Sequence, residues 1–195
     1  MPGVREPLAA CFIALLVGTA VPAQRNRGSR AGEQTSFAME ATIQRPYRVP
    51  KYVLEQIVQN DDLVEPEARE QAAASLAERV QGSLVNLNND NKPDFLVQGD
   101  DGANITGFWL FRNVVQRWRL VLATRALGIS LGKTYTNGFR DLSVEAASAV
   151  MLFGATYKFD LERYVPRECW EQNLSGRNKR IKYVKCSESE EKPYR

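Results

Sequence analysis

From Val80 to Val165 the apolar residues recur mainly at every second position, in short runs broken by turn formers. Trp118, Leu120 and Leu122 alternate with Arg119, Val121 and Ala123. Ile129 and Leu131 continue as another strand. Leu142 and Val144 face one way, while Asp141, Ser143 and Glu145 face the other; Phe153, Ala155, Tyr157 and Phe159 alternate again. A period of two gives a strand one buried face and one wet face, and it cannot serve a helix. Asn137-Gly138 is a strong signal for a tight hairpin. Phe108-Trp109-Leu110-Phe111 is apolar at consecutive positions, so both faces of that strand should be covered. Short strands at this spacing predict an antiparallel meander.

The preceding segment reads differently. Phe37 to Val49 is mixed, and Pro46 and Pro50 bracket an extended piece. Pro50 suits a first helical position. Val53, Leu54, Ile57 and Val58 follow at helical spacing, and the helix should end near Asn60-Asp61. Glu65 to Glu78 is rich in Ala, Glu, Gln and Arg, with Pro66 near its start, and predicts a surface helix. The fold class is therefore α+β and mainly β: an antiparallel meander with one or two N-terminal helices packed on or beside it. A chain of 195 residues with 44% hydrophobic content can bury one core, so a single domain over residues 37–186 is expected.

The ends carry the compartment. Arg5, the apolar run Leu8 to Ala20, and Val21-Pro22-Ala23 make a signal peptide over residues 1–23. The apolar run is too short to span a bilayer, so the mature chain should have no transmembrane span. Leu8-Ala9-Ala10-Cys11 opens the apolar region instead of closing it, which argues against lipidation. Residues 24–36 read as a flexible leader, and 187–195 as a charged tail. Cys11 leaves with the signal. Cys169 and Cys186 remain as a pair in an exported, periplasmic or extracellular protein, where thiols oxidise. Ser175-Gly176-Arg177-Asn178 offers a turn between them and Ile181, Tyr183 and Val184 a return strand, so a disulfide hairpin is predicted.

Oxygen-bearing side chains at Asn86, Asn88, Asp90 and Asp94 fall at even spacings between two apolar runs. Calcium takes oxygen ligands from alternate residues of a loop, with one backbone carbonyl, here that of Lys92. The same side chains can instead bond their own backbone and close a turn without metal. The second reading has a slight edge, because only Asp90 and Asp94 bring formal charge, and extracellular calcium sites are already weak, at about 10⁻⁴ to 10⁻³ M.

Val85 to Val97 resembles the calcium loop of FG-GAP and VCBS-type repeats, D-x-[DN]-x-D-G-x-x-D between two strands, with Asn86 in place of the first Asp and Asn91 in place of Gly. More of the chain, Val80 to Tyr164, resembles exported bacterial proteins of unassigned activity. The matching pieces are Phe108-Trp109-Leu110-Phe111-Arg112, Trp118-Arg119-Leu120-Val121-Leu122, Gly138-Phe139-Arg140-Asp141 and Tyr157-Lys158-Phe159-Asp160. The resemblance implies a secreted β-rich module and carries over no catalytic residue.

The chain has no histidine, which removes His-dependent triads, His-ligated zinc and imidazole acid-base chemistry. Asp100 with Asp101, and Asp141 with Glu145, are the carboxylate pairs open to hydrolase work. No nucleophile elbow, phosphate loop or dinucleotide fingerprint is present. A net charge of +3 does not argue for specific nucleic-acid binding. Arg177, Lys179, Arg180, Lys182 and Lys185, beside Trp170 and Tyr183, form a basic cluster suited to anions. Asn104 and Asn173 begin glycosylation sequons. The reading is a non-catalytic exported binding or structural module, steadied by calcium or by its own turn. Its partner would be an envelope protein or an anionic polymer. The alternatives are a small secreted carboxylate hydrolase or an inhibitor of a wall-degrading enzyme.

Overall fold

The computed structural model describes residues 33–39, 41–100, 106–175 and 180–186. The expected signal peptide and tail lie outside these residues, as do Asp101, Asn104, Arg177 and Lys179. The described chain is mainly β, with the antiparallel meander and two short helices that the alternation predicts. A strand β1 (Ser36–Ala38) comes first, followed by α1 (Lys51–Gln59) and α2 (Arg69–Ala77). Then come β2 (Val80–Val85), β3 (Asp94–Asp100), β4 (Thr106–Val114) and β5 (Arg117–Ala126). The chain closes with β6 (Gly128–Thr136), β7 (Phe139–Ala147), β8 (Met151–Phe159), β9 (Tyr164–Asn173) and β10 (Ile181–Val184). Among the described residues no helix is long and apolar enough to cross a membrane.

The meander is split between two sheets, where the sequence predicts one. The smaller runs β2-β3-β4-β5 and the larger β1-β6-β7-β8-β9-β10. The change of sheet occurs at Leu127. Its N–H donates to the Glu145 carbonyl at 2.7 Å, and its carbonyl accepts the Met39 N–H at 2.7 Å. Sequence alternation runs through this point because the strand period carries no information about which sheet a strand joins.

The smaller sheet is covered on both faces. Phe108 and Leu110 of β4 join Leu96, Ile129, Leu142 and Phe159 in the core shared with the larger sheet. Trp109 and Phe111 join Val53, Leu54, Ile57 and Val58 of α1 in the other core. The expectation of a covered central strand thus holds, since β4 lies between β3 and β5. Helix α2 gives only Ala73 and Leu76 to the core, as its composition predicts. On β5 the simple alternation fails. A register shift opposite Leu110/Phe111 turns both Val121 and Leu122 toward the larger sheet, while Trp118, Leu120 and Ala123 pack toward the helices. One extra residue in a bulge moves every later side chain to the opposite face.

The leader ends earlier than expected. Phe37 is fully buried, β1 pairs with β6, and the Leu131 N–H reaches the Thr35 carbonyl at 2.7 Å. The Glu33 side chain is largely covered as well. Residues 33–36 therefore belong to the fold.

Two hairpins have two-residue turns with positive φ. Asn137 and Gly138, at φ 51° and 83°, form the predicted one. Val115 and Gln116, at φ 48° and 66°, form the other without any turn-forming residue. A β-branched side chain in the left-handed region is strained, at roughly 1–2 kcal/mol per residue. Replacing both, as Val115→Asn with Gln116→Gly, should stabilise the protein by about 1 kcal/mol, read as a raised urea midpoint with an unchanged slope.

The disulfide joins Cys169 of β9 to Cys186, with the Cα atoms 5.2 Å apart. Val184 pairs with Cys169 and Ile181 with Gln172, so β9 and β10 form the predicted hairpin. A loop of this size is worth about 3 kcal/mol in the chain-entropy model. The double change Cys169→Ser with Cys186→Ser should speed amide exchange in β10 and leave β3 and β4 protected. Equal loosening of β3 and β4 would show that the bond supports the whole core.

Candidate functional site

The loop between β2 and β3 turns its oxygens onto backbone donors. Asn86 Oδ1 accepts the Asn89 N–H at 2.8 Å, and Asn88 Oδ1 accepts the Asp90 N–H at 3.3 Å. Asp90 Oδ1 accepts the Lys92 N–H at 2.8 Å, and its Oδ2 accepts the Asn88 Nδ2 amide at 3.0 Å. Asn89 and Asn91 supply the left-handed bends, at φ 57° and 63°. Asp94 is buried; its Oδ2 takes the Leu87 N–H at 2.9 Å and its Oδ1 the Asn113 N–H at 2.7 Å. Burial pushes the Asp94 carboxyl up to about 6, against the pull of the Asn113 and Leu87 N–H groups. As arranged, each oxygen of Asp90 and Asp94 holds a donor, and burial favours neutral Asp94. The geometry fits the turn that closes on its own backbone.

A buried polar cluster ties this loop to the larger sheet. Arg140 on β7 donates its N–H to the Leu87 carbonyl at 2.7 Å, and its Nε lies 3.2 Å from the Tyr135 hydroxyl. Tyr135 also receives the Asn89 Nδ2 amide at 2.9 Å. Glu33 Oε1 accepts the Asn86 N–H at 2.8 Å, and its Oε2 sits 3.7 Å from Arg140 Nη1. The Tyr164 hydroxyl donates to the Arg140 carbonyl at 2.9 Å, and burial together with the nearby Asp94 and Asp141 holds that phenol above its usual range. Gly138-Phe139-Arg140-Asp141 was visible in the sequence, but nothing in it indicated that Arg140 is buried.

A wide concavity lies elsewhere. Four strands cannot cover a face made from six, so β5 ends the smaller sheet while β8, β9 and β10 continue beneath open space. The result is a cleft of about 1010 Å³. Residues 119–125 of β5 form one wall, Phe153, Ala155 and Tyr157 the floor, and Gln56 and Asn60 of α1 one margin. The Trp170 indole lies flat over Gly154, where any Cβ would collide with the ring. Arg119, Arg125, Arg163 and Lys185 line the cleft against Glu162 and Glu171, and Glu171 sits 3.2 Å from Lys182. The cleft is therefore net basic. The disulfide forms part of its lining.

The predicted basic cluster is divided. Of its described members, Lys185 reaches the cleft, Lys182 pairs with Glu171, and Arg180 is exposed. Asp141 is buried and accepts the Thr134 hydroxyl at 2.7 Å, while Glu145 is exposed; neither is among the residues lining the cleft. Asn173 holds the N–H and hydroxyl of Ser175, its own sequon serine, each at 2.8 Å. Arg119, Arg163 and Phe153 were missed as site residues, because they converge from segments distant in sequence. No family model matches the chain, and no curated protein and no solved structure matches it.

Millimolar calcium should leave the melting temperature unchanged, whereas Asp90→Ala in chelator should cost about 1 kcal/mol through its lost hydrogen bonds. A calcium-dependent rise that Asp90→Ala removes would favour the metal instead. The Asp94 carboxyl gives a second expectation. Between its ordinary value of 3.8 and about 6, the folded chain keeps a proton that the unfolded chain has released. Stability should therefore fall as pH rises through this window and level off above it, by on the order of 3 kcal/mol. Asp94→Asn should flatten this component in urea titrations across pH 4–7 run beside the parent.

Proposed function

We propose that this chain is a non-catalytic exported binding module whose basic cleft takes an extended anionic ligand, an acidic envelope protein or an anionic polymer. The observation that carries this reading is the cleft, wide, open and lined by Arg119, Arg125, Arg163 and Lys185. A cleft with an excess of one sign of charge concentrates and orients ligands of the other. Aromatic surface at the half-exposed Phe153 supplies contact area. The loop from Asn86 to Asp94 serves as a brace, setting β2 and β3 against β7 through Arg140. The sequence features of export, the disulfide and the resemblance to secreted FG-GAP-like modules support placement outside the cytoplasm.

Immobilised polyglutamate and polygalacturonate test the reading, with polylysine as the control. At low salt the mature protein should bind at least one polyanion and not polylysine. Arg119→Glu combined with Arg163→Glu should weaken that binding by about tenfold or more, with melting unchanged. Binding to neither polyanion, or binding indifferent to the charge reversal, would remove the cleft as the site.

A further inference from the structure

The ladder between β9 and β10 stops at Val184, whose partner is Cys169. Lys185 and Cys186 belong to no strand. Yet the Cys186 Cα lies 5.2 Å from that of Cys169. The backbone has therefore left the line of β10 and turned across β9. The face it crosses is the inner one. Cys169 pairs with Ala155, both belong to the core shared with the smaller sheet, and Cys186 packs against that core. Cys186 also lines the cleft. Whatever follows it starts from within the cleft, at a point the disulfide fixes. Because β10 runs antiparallel to β9, the chain is by then travelling toward the β8–β9 turn, where Arg163 stands.

The residues that follow are Ser187-Glu188-Ser189-Glu190-Glu191-Lys192. Glu188, Glu190 and Glu191 give them a local excess of negative charge. The cleft offers the opposite sign. Arg119 is the register partner of Arg112, whose guanidinium lies over the Phe159 ring in the shared core, so Arg119 also faces the larger sheet. Arg163 lines the cleft from the β8–β9 turn, and Glu171 is engaged by Lys182. The run from Cys169 back to Arg163 covers roughly 20 Å at about 3.3 Å per residue, and an extended chain covers the same distance from Cys186 to Lys192. We propose that residues 187–195 fold back along the cleft as its resident occupant, with Glu188, Glu190 and Glu191 against Arg119 and Arg163. An external polyanion must displace them. Tethering at Cys186 makes the contact intramolecular, so the segment holds at an effective concentration that a separate ligand does not reach. This inference rests on the basic-cleft reading and names the regulation of that site.

The test uses the mature chain and fluorescein-labelled polyglutamate at low salt, read by anisotropy. One variant carries Glu188→Gln, Glu190→Gln and Glu191→Gln. A control carries Glu65→Gln, Glu67→Gln and Glu78→Gln, exposed positions around α2 that change the net charge equally. Freed of its occupant, the cleft of the first variant should bind about tenfold tighter than the parent, and the control should gain about twofold at most. Adding Arg119→Glu with Arg163→Glu should erase the difference between the parent and the first variant, as expected of groups that interact. Without polyanion, amide exchange within residues 119–125 should be faster in the first variant than in the parent. Equal binding by the two, a gain matched by the control, or a gain that vanishes on dilution of the protein, as for a segment seated in a second copy, overturns the inference. The two readings fail separately. If parent and first variant bind alike and Arg119→Glu with Arg163→Glu weakens both, the basic cleft stands and the resident segment falls. If no form binds polyglutamate or polygalacturonate, both fall.

Discussion

The structure depends on one strand being buried twice. Consecutive residues of β4 face opposite cores, Phe108 and Leu110 toward the larger sheet, Trp109 and Phe111 toward α1. Burying each such side chain contributes about 1.5–3 kcal/mol. That yield exists only if both faces are covered, so helices and larger sheet must pack on the smaller sheet together. The three layers follow from this requirement. So does the need for an apolar α1, while α2, which reaches the core only through Ala73 and Leu76, can remain polar.

Fixing the layers leaves the problem of holding the β2–β3 turn against β7. The chain solves it with buried polar contacts. Asp94 binds the Leu87 and Asn113 N–H groups, and Arg140 binds the Leu87 carbonyl. Glu33, brought in ahead of β1, completes the arrangement through Asn86 and Arg140. A loop whose spacing resembles a metal site is in this way held by the protein's own donors. The carboxylate at Asp94 carries a conflict, since its N–H partners favour the ionised form and its burial favours the neutral one.

The cleft has a geometric origin. Sheets of unequal width packed face to face must leave part of the wider one uncovered, and the uncovered part lies beside the last strand of the narrower one. Basic residues from β5, from the β8–β9 turn and from the end of β10 then meet around a single space. The disulfide holds the last of these segments in place, so this bond and the shape of the cleft are connected.

The alternation from Val80 onward by itself determined the strands, their antiparallel order and the covered position of β4, because a side-chain period of two is a local property of extended backbone. The spacing of Val53, Leu54, Ile57 and Val58 determined α1 for the same kind of reason, and Asn137-Gly138 determined its turn because φ preference belongs to the residue. The cysteine pairing was legible because only two candidates remained once the segment expected to be a signal was set aside. The hairpin at Val115-Gln116 was not legible, since those residues adopt their turn against their own preference. Nor was the division at Leu127, the bulge that re-aims β5, or the burial of Arg140. Each is decided by contacts between residues far apart in the chain. The cleft belongs wholly to this second class: Arg119, Phe153 and Arg163 share a surface only because two sheets of different width pack together, and no local pattern encodes that difference.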